Sequence, residues 1–194
     1  MKTKVVFLTL ILISLSAHAE SIPSGYTKED LRPLGGEILV PESWYFRGGA
    51  TNNGFMYVLS KEQNEDDSYE TGFRIQGIIN IKDSGLSPVQ ATAYNWKRFK
   101  DSAKEIIKEC DEEQAGVFRK TCLEVIQNNP NNPDDDFHII YSFFWSDELD
   151  MIVIGIFGAP ESTWPEAENI YNTIKDFVLF DIDKMEFEED EPQP

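Results

Sequence analysis

The sequence predicts an α+β domain: an antiparallel β-sheet covered by helices, an α/β/α sandwich. Three observations predict it. Several short runs are rich in aromatic and β-branched residues and bounded by turn residues, with the spacing of hairpins. Two longer stretches carry apolar residues at helical spacing instead. Strands and helices do not alternate regularly, which argues against a doubly wound parallel fold.

Ile38 to Val40 reads as a strand ending at Pro41, and Trp44-Tyr45-Phe46 as an aromatic strand after a turn. Gly48, Gly49, Asn52, Asn53 and Gly54 read as a loop, Phe55 to Leu59 as a strand, and residues 61–68 as a charged loop. Tyr69 to Ile81 alternates apolar and polar positions, as a half-covered antiparallel strand does. Gly77 within it marks a bulge. Ser87-Pro88 opens the first helix, since Ser is a good N-cap and Pro suits the first helical position. Val89, Ala93, Trp96, Phe99, Ala103 and Ile107 set its apolar spacing, which runs to about Glu109. Phe118 to Ile126, Phe137 to Trp145 and Asp150 to Phe157 are strands, the last two forming a hairpin. Met151 to Ile156 is almost wholly apolar and predicts a central strand covered on both faces. Gly158 to Pro165 reads as a turn. A second helix starts at Pro165 and carries Ala167, Ile170, Tyr171, Ile174, Phe177 and Val178 on one side. No internal repeat is present.

Residues 1–19 have the layout of a cleavable export signal: Lys2 and Lys4, an apolar run from Val5 to Leu15, then Ala17-His18-Ala19. That run is too short to span a bilayer. The expected product is cleaved after Ala19 and is periplasmic or secreted, with no transmembrane segment. It divides into an extension (20–35), one domain (36–182) and an acidic, disordered tail (183–194).

The chain has 17 basic and 35 acidic residues, a net charge of −18 that becomes −20 without Lys2 and Lys4. Such a charge repels nucleic acid and anionic lipid and favours basic partners or cations. Cys110 and Cys122 are the two cysteines. In an oxidising compartment they predict a structural disulfide, here tying the end of the first helix to the following strand.

The layout resembles the PsbP-like superfamily, which includes extrinsic photosystem II subunits, a Ran-binding nuclear-transport factor and bacterial DcrB-type envelope proteins. The resemblance rests on Val40-Pro41-Glu42-Ser43-Trp44-Tyr45-Phe46, the Ser87-Pro88 helix opening, the hairpin from His138 to Phe157, and Gly158 to Trp164 before a helix ending at Phe177. It implies a sheet sandwiched by helices and a role in binding other macromolecules. It carries over no catalytic constellation.

The chemistry-bearing residues are few. His138 is the single histidine after the signal and follows Asp134, Asp135 and Asp136. A histidine beside acids suits a metal or a general base. Ser142 and Ser146 are near it in sequence, but no nucleophile elbow surrounds either. Zinc spacings and an EF-hand loop are absent. The Asn128 to Asp136 loop, with Asp134, Asp135 and Asp136, is the best cation candidate, for weak calcium binding at most. Gly48, Gly49 and Gly54 lack the lysine and helix of a phosphate cradle. Trp44 and Trp164, where exposed, are candidate partner anchors.

These readings favour an exported, non-enzymatic protein-binding or accessory protein of the cell envelope, with no cofactor. Its partner is another protein, basic if charge steers it. The alternatives are a small-ligand or lipid binder using a cleft between sheet and helix, and an acidic inhibitor or immunity protein facing a basic toxin. A hydrolase built on His138 ranks last.

Overall fold

A computed structural model describes residues 22–63 and 69–184. The expected export signal (1–19) and residues 185–194 of the expected tail lie outside them. The elements in order are β1 (Tyr26–Leu31), β2 (Gly35–Pro41), β3 (Tyr45–Thr51), β4 (Gly54–Ser60), β5 (Gly72–Ile79), α1 (Pro88–Ser102), β6 (Glu105–Glu109), β7 (Glu113–Ala115), β8 (Phe118–Gln127), β9 (Phe137–Ser146), β10 (Met151–Pro160), α2 (Trp164–Ile174) and β11 (Val178–Phe180).

The main sheet has eight strands in the order β3-β4-β5-β10-β9-β8-β6, with β7 paired to β8. A small sheet, β1-β2-β11, lies apart. Every pairing is antiparallel. The fold is therefore α+β, with β10 central as its apolar composition predicts.

Alternation along each strand divides the core in two. On one face Phe73, Ile75, Ile140, Val153 and Phe157 pack with the small sheet and with Ala167 and Ile174 of α2. On the other, Leu123, Val125, Tyr141, Phe143 and Ile152 pack with Ala91, Trp96 and Phe99 of α1. The first helix starts where Ser87-Pro88 predicts. The Ser87 hydroxyl accepts the Gln90 N–H while Gln90 Oε1 accepts the Ser87 N–H, a capping box that satisfies two otherwise orphaned donors.

Several elements differ from the sequence reading, and most lie at sheet edges. The first helix ends at Ser102, not near Glu109. Residues 105–109 instead join the edge of the sheet beside β8, where Lys104 N–H donates to Ile126 O (2.8 Å). Ile106 and Ile107 are exposed there, so their helical spacing reported no core contact. The disulfide Cys110–Cys122 is formed, but it ties the end of β6 to β8 rather than a helix to a strand. Residues 26–31, within the expected extension, pair along β2. Gly48 and Gly49 lie inside β3, not in a loop.

Gly77 makes no bulge, because the register runs evenly through it on both sides. A side chain there would meet the Phe55 ring, so the glycine makes room for that ring. The second helix stops at Ile174, and Val178 pairs with Glu37 as a strand. Gly36 permits this, since a Cβ would collide with the Val178 and Leu179 carbonyls.

Candidate binding groove and the histidine beside it

The α2-side face of the main sheet is only partly covered. Between β8–β9 below and α2 with β11 above lies a groove of about 550 Å³. Its apolar lining is Phe118, Phe144, Tyr171, Phe177, Leu179 and Phe180. Phe118 and Phe180 stack across it with ring centroids 5.8 Å apart and planes 8° apart. Sequence alternation explains the lining: Phe118 on β8 and Phe144 on β9 fall at the positions facing away from α1. Ser142, Lys120 and Lys175 supply polar groups. Lys175 Nζ donates to Asn172 Oδ1 (2.9 Å), and Lys120 pairs with Glu113 (3.2 Å). Burial raises the Tyr171 phenol above its ordinary pKa, against the effect of the neighbouring Ser142 hydroxyl.

Farther along the same two strands, His138 is 7% exposed. Its Nδ1 lies 2.7 Å from Glu161 Oε1 and its Nε2 2.7 Å from Glu124 Oε1. The imidazole also stacks on Trp164, 3.7 Å between centroids and 2° between planes. The cluster thus joins β8, β9, the short turn before α2 and α2 itself. The Asn/Asp-rich loop braces it: Asp135 accepts from Ser162 N–H (3.0 Å) and Oγ–H (2.6 Å), and the Asp136 carbonyl accepts the Glu161 N–H (2.8 Å).

The predicted site residues fall as follows. Trp44 and Trp164 are each 8% exposed, so neither anchors a partner at the surface. Trp44 borders a small cavity beside Ala167 and Ile170 of α2, and Trp164 covers the histidine. Both rings serve the apolar contact between α2 and the sheet. Asp135 and Asp136 turn to different partners, Ser162 and Lys104, and Asp134 is exposed. Among the described residues no three acids, cysteines or histidines gather as metal ligands.

Neither serine meets the histidine: Ser142 lines the groove, and Ser146 Oγ accepts the Leu149 N–H in the hairpin turn. Both ring nitrogens of His138 are engaged by carboxylates, which leaves none to activate a hydroxyl. Sequence reasoning missed Glu124 and Glu161, 14 and 23 residues from His138. It also missed the groove, whose signal was Phe118 and Phe144 at same-face positions of two strands. Among the described residues no helix is long and apolar enough to cross a membrane.

No protein-family model matches the chain, and no curated protein does. Solved structures similar to it include the Ran-binding protein Mog1p of Saccharomyces cerevisiae, at 11% identity and a TM-score of 0.47, over 83% of this chain and 98% of that one. A variant of Mog1 gives 12% identity and 0.47, over 83% and 99%. Cyanobacterial PsbP from Synechocystis sp. PCC 6803 gives 12% identity and 0.48, over 86% and 99%. These likenesses assign no family, partner or activity to this chain.

Proposed function

We propose that this is an exported, non-enzymatic binding protein whose groove between β8–β9 and α2–β11 holds a small apolar ligand. The observation that carries the reading is the groove itself. It has the size of ordinary ligand sites, an aromatic lining from four separate elements, and a few polar groups at its border. A well-packed domain closes such a gap unless something else fills it. The engagement of both His138 nitrogens by carboxylates favours binding over hydrolysis. The neutral fluorophore N-phenyl-1-naphthylamine tests the reading. Its emission should rise on mixing and fall when dodecanol competes, and Ser142→Phe, which fills the groove, should abolish the rise without lowering Tm. No emission change with the native protein would sink the proposal.

Charge favours a second reading, with a basic protein as partner. The excess of 35 acids over 17 bases speeds encounter with a positive surface. Here a pull-down from envelope extract should recover a basic protein at low salt and lose it at high salt. Recovery that ignores salt would count against this reading.

A further inference from the structure

On the opposite face of the main sheet, away from the groove, a second concavity of about 520 Å³ opens at the edge of α1. Five chain segments form it: the β3–β4 turn, the end of β5, the turn after it, the first half of α1, and the start of β10. Its floor is apolar, made by Ile78, Ile81, Ala91 and Ile152. Its walls are neutral and polar. The carboxamides of Asn52, Asn53, Asn80 and Asn95 all border it, with Asp83 as the one charged group. Tyr94 stands at its border 65% exposed, beside exposed Ile79 and Leu86.

The hydrogen-bonding capacity of these amides is largely open. Among the described residues the side chains of Asn52, Asn53 and Asn80 bond to no other residue. Asn95 donates one amide hydrogen to Ala91 O (2.9 Å), leaving its Oδ1 available. Backbone bonds set the frame: the Asn53 carbonyl accepts from Ile79 N–H (3.0 Å) and the Asn80 carbonyl from Asp83 N–H (3.1 Å). Asn80 itself is left-handed, with φ 56° and ψ 43°. That conformation is uncommon outside glycine, and asparagine tolerates it best among the others.

We propose that this concavity binds a neutral oligosaccharide built of hexopyranose units. A carboxamide offers a donor and an acceptor side by side. Vicinal sugar hydroxyls, each both donor and acceptor, match that pair. A pyranose also has an apolar C–H face, which an exposed tyrosine ring covers while its hydroxyl stays wet. The single charge in the lining disfavours phosphates, carboxylates and cations, which need several opposite charges. The net charge of −18 further disfavours acidic polysaccharides. An apolar protein surface would suit Tyr94, Leu86 and Ile79, but it would bury four amides without partners, at a cost for each.

The test is amide NMR of the ¹⁵N-labelled protein titrated with maltotriose, cellotriose and chitotriose to about 10 mM, since sites of this kind are weak. At least one sugar should shift the side-chain amide signals of Asn52, Asn53, Asn80 and Asn95 saturably. Tyr94→Ala should weaken that binding by about tenfold or more, and Tyr94→Phe, which keeps the ring, should retain most of it. Tyr94 is exposed, so neither change threatens the fold. The proposal is overturned if no sugar moves these signals, or if Tyr94→Ala binds as the native protein does. It is also overturned if Tyr94→Ala instead abolishes association with a protein while every sugar is inert.

Discussion

The two faces of the main sheet both carry aromatic side chains, more of them on the α2 side, and end in different states. On the α1 face a fifteen-residue helix lies across β8, β9 and β10. Phe99 stacks on Tyr141 at 4.1 Å and 15°, and Trp96 meets Phe143 at 5.4 Å. On the other face the helix has eleven residues and packs mainly on β10 and β2, meeting β9 at its start, where Trp164 stacks on His138. The difference is one of reach. At 1.5 Å per residue α2 is about 6 Å shorter than α1, and the chain leaves it to make β11. The aromatics it fails to cover become the walls of the groove. Such a groove can thus arise from an interrupted cover rather than from any special residue.

Two neighbours on β9 give the largest test of that contrast. Phe143 points to the α1 face and is fully buried, whereas Phe144 points into the groove and is half-buried. Phe143→Ala should cost about 3–5 kcal/mol in urea unfolding, since it opens a cavity in a closed layer. Phe144→Ala should cost about 1 kcal/mol and abolish uptake of the apolar fluorophore. Equal costs would mean that the groove is ordinary core and the contrast false.

The same geometry decides what could be read from the sequence. The hairpin from Phe137 to Pro160 and the capped start at Ser87 were legible, because alternation and capping are local. The strand at 105–109 was not. Glu-Ile-Ile-Lys-Glu continues a helical spacing, and only the edge of β8 captures it as a strand. Residues 178–180 likewise continue the apolar pattern of α2 until β2 offers backbone partners. The histidine cluster was hidden for a different reason. Glu124 pairs with Ile140, and Ile126 with His138, so Glu124 and His138 meet only on a diagonal of this register. A slip of one residue would send the glutamate to the other face. Trp44 and Trp164 could be chosen by type, but burial is set by where α2 lands.

The histidine cluster is the next test, since it holds α2 to the sheet beside the groove. His138→Ala removes the partner of Glu124 and the ring under Trp164. Breaking a fully buried ion pair costs several kcal/mol. Here the Glu161 side chain is 44% exposed and keeps solvent, so about 2 kcal/mol is expected. Glu124→Gln retains a hydrogen-bond acceptor and should cost less, about 1 kcal/mol. Trp164 stacks on the imidazole, so its fluorescence should change with His138→Ala. If both variants unfold with the native midpoint, the cluster does not secure α2, and the groove owes its opening to something else.

The smallest effect appears in alkali and compares the faces through their tyrosines. Burial raises the pKa of Tyr57, Tyr141 and Tyr171 in the folded protein. The unfolded chain releases these protons near pH 10. The folded state therefore keeps its full stability below about pH 10 and loses it as pH climbs toward the raised folded values. Tyr141 lies beneath Phe99 in the closed layer, and Tyr171 borders the groove. Admitting solvent to tyrosinate at position 141 requires lifting α1, whereas at position 171 the groove already offers a path. Tyr141→Phe should thus raise the alkaline unfolding midpoint more than Tyr171→Phe, by a few tenths of a pH unit, as followed by circular dichroism against pH. The reverse order would place the more tightly sealed tyrosine on the groove side and make α2, not α1, the closed cover.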